Sequence, residues 1–90
     1  MKYKIYLSQA IAIDKLSDDA ELIAEVETPA EVMDIVTATA KDFRKDNPPP
    51  YYRYLMGDKI TFIDYGSWSK YIAVEPALRA EELFSNRSNY

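Results

Sequence analysis

The stretch from Gly57 to Glu75, GDKITFIDYGSWSKYIAVE, restricts the fold more than any other part of the chain. Two runs of β-branched and aromatic residues flank Tyr65, Gly66, Ser67 and Trp68, a pattern that predicts strand, turn and strand with an aromatic tip. Setting Phe62 opposite Ile72 places Ile60 opposite Val74, Ile63 opposite Tyr71 and Asp64 opposite Lys70. An apolar ladder then ends in an opposite-charge pair. Both faces of this hairpin carry large side chains, so both require cover.

The rest of the chain supplies one helix and further strands. Residues 2–7 alternate, with Tyr3, Ile5 and Leu7 on one side and Lys4 and Tyr6 on the other, the period of a half-buried strand. Leu22, Ala24 and Val26 alternate with Ile23, Glu25 and Glu27 and predict a second strand. Thr28-Pro29-Ala30-Glu31 fits a capping box with proline at the first helical position. Val32, Met33, Val36, Thr39, Ala40 and Phe43 then share one face at helical spacing, opposite Glu31, Asp34, Ala38, Lys41 and Lys45. Asn47 and Pro48-Pro49-Pro50 end the helix. Tyr51–Met56 reads as a short strand or an extended approach to one, and Pro76–Phe84 as a short C-terminal helix carrying Ala80, Leu83 and Phe84. The fold expected is α+β, an antiparallel sheet in the order β–β–α–β–β with the long helix on one face. One helix covers one face only; Tyr6, Ile63, Tyr65 and Tyr71, or their neighbours, are expected on the other.

Composition narrows the function. Ninety residues make one domain, expected over residues 1–84 with a frayed tail at 85–90. With neither Cys nor His in the sequence, disulfides, thiolate ligands, zinc sites and His-based catalysis have no residues to use. No metal or other cofactor is expected, and no enzyme. MKYKIYLSQAIAI reads as a strand rather than a signal peptide, and no run approaches the roughly 20 apolar residues of a spanning helix. A cytoplasmic protein without a membrane partner is the expectation. Between Asp14 and Asp34, eight acids face a single lysine within a chain of net charge −4, a block that repels nucleic acid.

Several constellations have a sharp reading and a bland one. Pro48-Pro49-Pro50-Tyr51 matches a WW-domain ligand, but inside a compact domain it reads as a stiff loop. Asp14, Asp18, Asp19 and Glu21 invite a calcium site yet lack the ligand spacing and mid-loop glycine of an EF-hand, so a solvated acidic loop is expected. The same acids offer negative charge that competes for a basic groove. Asp64, Ser67 and Ser69 at the turn are expected to satisfy turn backbone rather than to act as nucleophiles. Tyr65 and Trp68 are the strongest candidate contacts, because Tyr and Trp bring large rigid area with a polar handle, while the bland reading of Trp68 is a ring folded over the sheet end to cap the small core. The residues expected to bind a partner are Tyr51, Tyr52, Tyr54, Tyr65, Trp68 and Tyr71, with Asp18, Asp19 and Glu21 supplying specificity.

IDYGSWSKYIAV, preceded by PPYYRY, resembles the C-terminal hairpin of small uncharacterised accessory proteins of phages and prophages of Gram-positive bacteria. The resemblance covers about a third of the chain and carries no catalytic residues. It implies an accessory protein inside the bacterial host that binds a host protein, with anti-defence roles among the possibilities. The expectation is a non-enzymatic interaction protein, acting on a host target or as a homodimer. A nucleic-acid-binding protein using Lys41, Arg44, Lys45 and Arg53 is the competing expectation.

Overall fold

A computed structural model describes residues 2–43, 52–67, 69–79 and 81–82. Its elements are strands β1 (Tyr3–Ser8) and β2 (Glu21–Val26), helix α1 (Pro29–Phe43), and strands β3 (Arg53–Met56), β4 (Thr61–Asp64) and β5 (Tyr71–Glu75). The strands form one antiparallel sheet in the order β2-β1-β5-β4-β3. Arg53–Met56 is thus a full strand and the sheet has five strands, one more than the order expected from the sequence. Among the described residues the expected C-terminal helix forms no element, and only 81–82 are helical there. Leu78 is buried, its N–H donating to Thr61 Oγ1 at 2.9 Å, and Glu82 N–H donates to the Arg79 carbonyl. Ala80, Leu83, Phe84 and the tail at 85–90 lie outside the described residues.

α1 begins as its sequence dictates. Glu31 N–H donates to Thr28 Oγ1 at 3.2 Å while Thr28 N–H donates to Glu31 Oε1 at 3.1 Å, a reciprocal capping box. Val32, Val36 and Ala40 are buried, with Met33 and Ile35 beside them. They pack on Tyr3, Ile5, Ile63, Tyr65, Ile72, Val74 and Leu78, the helix-side core. Each buried Val or Ile contributes roughly 1.5–3 kcal/mol of apolar transfer.

The hairpin register differs from the expected one by a single residue. Ile63 pairs with Ile72, Phe62 with Ala73 and Thr61 with Val74. Alternation discriminates poorly where both faces are apolar, and here the turn decides. Asp64 Oδ1 accepts from Gly66 N–H at 2.9 Å, Gly66 adopts φ 102°, and Ser67 Oγ accepts from Ser69 and Lys70 N–H. Asp64 therefore serves the turn, and Lys70 pairs with Asp19 rather than with Asp64. The slip also separates the four residues expected on one uncovered face. Ile63 and Tyr65 join the helix-side core, whereas Tyr6 and Tyr71 pack on the opposite side.

That opposite side is not bare. The connection at residues 9–20 crosses it as a strap, packing Ala10 and Leu16 against buried Ile60, Phe62 and Ala73. Helix, sheet and strap make three layers.

Candidate functional site

The strap is held at two points. Near its middle, Asp14 takes φ 60°, a left-handed conformation that Asp tolerates better than most side chains. Its carboxylate accepts three consecutive backbone N–H groups of the β3–β4 turn: Asp58 at 3.1 Å, Lys59 at 2.8 Å and Ile60 at 3.0 Å. These bonds hold the carboxyl below the usual Asp range, with the Lys59 N–H contributing most. Toward β2, Ser17 N–H donates to buried Ser8 Oγ at 3.0 Å, Gln9 N–H donates to Ser17 Oγ at 3.0 Å, and the Ser17 hydroxyl donates to Asp19. Asp19 also receives Lys70 Nζ at 2.8 Å, and this ammonium bond is the main cause of its lowered pKa.

Between strap and sheet lies an apolar groove of ≈ 260 Å³, walled by residues 10–14 on one side and by Leu55, Met56, Ile60 and Phe62 on the other. Its rim is unusually exposed for apolar side chains: Ile11 58%, Ile13 79%, Leu55 50% and Met56 45%. Among the described residues that line it, Asp14 is the one titratable side chain, and its carboxylate is committed to the turn. The groove thus suits an apolar side chain.

The residues expected to bind a partner do not gather there. Tyr65 is only 4% exposed and sets its ring edge-on to Phe43, centroids 5.4 Å apart, so it belongs to the core rather than to an exposed tip. Tyr71 is half-buried and packs edge-on against Phe62 at 6.3 Å. Tyr52 and Tyr54 are half-buried against the helix-side core. Tyr51 and Trp68 lie outside the described residues. Asp18 and Glu21 are exposed, and Asp19 is exposed but engaged with Lys70. Asp14 and Asp19 turn to different partners, the β3–β4 turn and Lys70, so the acids of the strap do not converge on one point. Of the competing cationic set, Lys41 and Arg53 are exposed on helix and edge strand, and Arg44 and Lys45 lie outside the described residues.

The groove was missed in the sequence because Ile11-Ala12-Ile13 looked like an extension of β1. The signal was there: three apolar residues directly before an acidic connection have no alternation partner, and such residues either cover a core or remain on the surface.

No helix among the described residues is long and apolar enough to cross a membrane. No protein-family model, curated protein or solved structure matches the chain.

Proposed function

We propose that this chain is a small non-enzymatic interaction protein of a phage or prophage, which regulates by binding another protein: a host protein, defence components included, or a further copy of itself. The observation that carries the reading is the cluster of Ile11, Ile13, Leu55 and Met56 around an apolar groove, exposed side chains that a folded domain this small has strong reason to cover. The hairpin string supports the phage context. The contact surface in this reading moves from the Tyr/Trp hairpin to the groove, since Tyr65 is committed to the core.

Affinity capture from host cells with the intact chain and with Ile13→Asp, followed by mass spectrometry, tests the reading. A partner retained by the parent and lost with the variant is expected. Electrophoretic mobility shift at low salt tests the nucleic-acid alternative; tight, salt-sensitive binding that requires Arg53 and Lys41 would replace the proposal.

A further inference from the structure

We infer that the strap at residues 9–20 is a removable cover, which opens as one body while the helix-side core stays folded. The two faces of the sheet are covered unequally. On one side α1 sets Val32, Val36 and Ala40 fully buried against the sheet. On the other, the one buried side chain of the strap is Ser17, a hydroxyl; Ala10 and Leu16 are half-buried, and Ile11 and Ile13 are exposed. Apolar burial is what ties a segment to global unfolding, and the strap supplies little of it.

Polar contacts hold it instead, at two clamps. Asp14 accepts from the N–H groups of Asp58, Lys59 and Ile60, while Ser17 N–H donates to Ser8 Oγ and Lys70 Nζ donates to Asp19. When the strap lifts, these groups exchange protein partners for water, so each bond resists opening only modestly. Between the clamps the segment is closed on itself, since a bridge between Ala12 and Lys15 makes residues 12–15 a turn, and the groove lies beneath it. A body with its own turn and two polar attachments moves whole. Among the described residues, no side chain of the strap packs on the helix-side core, whereas Ile60, Phe62 and Ala73 lie directly under it. Opening therefore bares the second face and leaves the first intact.

Native-state amide hydrogen exchange of the full chain in sub-denaturing urea tests this. The N–H groups of Ser17, Asp58, Lys59 and Ile60 are expected to exchange on one shared urea slope, smaller than that of Ile72 and Val74 in the central strand β5. Each clamp is then altered and read at the other. Lys70→Met is expected to quicken exchange at residues 58–60 about threefold, and at Ser17 by the same factor. Asp14→Asn is expected to quicken Ser17 roughly tenfold. If Lys70→Met disturbs the start of β5, Asp19→Asn takes its place. Slopes at Ser17 and 58–60 that match those of Ile72 and Val74 overturn the inference, because the cover then leaves only with the core. Acceleration confined to the clamp that was altered overturns it as well, because the two attachments then fray independently.

Discussion

Asp14 concentrates three hydrogen bonds on one short side chain, and its backbone is already in the left-handed region that this requires. Because the bonds favour the charged form, its folded pKa lies below the unfolded value, as does that of Asp19 beside Lys70. A depressed carboxylate contributes stability that is present above its unfolded pKa, about 3.9, and lost as pH falls through the lower folded value. Thermal midpoints are therefore expected to hold from neutrality down to about pH 4 and to fall below it. In Asp14→Asn that acid limb should shrink, and amide exchange at residues 58–60 should quicken at neutral pH. Gly57 is the complementary position. A Cβ there would collide with the Asp14 carboxylate and come within 2.7 Å of the Ile60 carbonyl. Gly57→Ala is expected to destabilise by roughly 1–3 kcal/mol in urea unfolding, through overpacking of the clamp.

At the scale of elements, local chemistry and tertiary context divide the work. The start of α1 was readable from Thr28, Pro29 and Glu31, because a capping box is built by side chains and amides within four residues. Thr28→Ala should cost about 1 kcal/mol, measured by thermal or urea unfolding. The hairpin's existence was equally readable, but its register was not, since Phe62, Ile63, Ile72 and Val74 offer apolar partners on either face. Ile72 is fully buried on the helix side, so Ile72→Ala is expected to cost about 2–5 kcal/mol. Ile23, at the irregularity where Tyr6 pairs with Leu22 and Ile5 with Ala24, is exposed; Ile23→Ala should stay within about 0.5 kcal/mol. Denaturant midpoints of the two variants at constant slope check the contrast.

For the molecule as a whole, the sequence disclosed a sheet with two apolar faces and one helix to cover them, but not what lay on the second face. Leu16 and Ala10 in a polar connection give no periodic signal, and Asp14 acts on a partner far along the chain, at Lys59. The candidate site escaped for the same reason: Ile11 and Ile13 meet Leu55 and Met56 only after the strap has folded across the sheet. Two layers were legible, and the third depended on contacts no local pattern encodes. The pairing of β1 with β5 carries this dependence furthest. Lys4 opposes Glu75, so the seam at the middle of the sheet joins segments about seventy residues apart, a separation whose closure slows folding into the millisecond-to-second range. Stopped-flow refolding should fall in that range, slower than helical bundles of equal length. On the ribosome, β1 must wait for nearly the whole domain to be translated before its central neighbour exists. Until then the nascent chain has β1 and β2 on one side and β3 and β4 on the other, with the strand that joins them still to come.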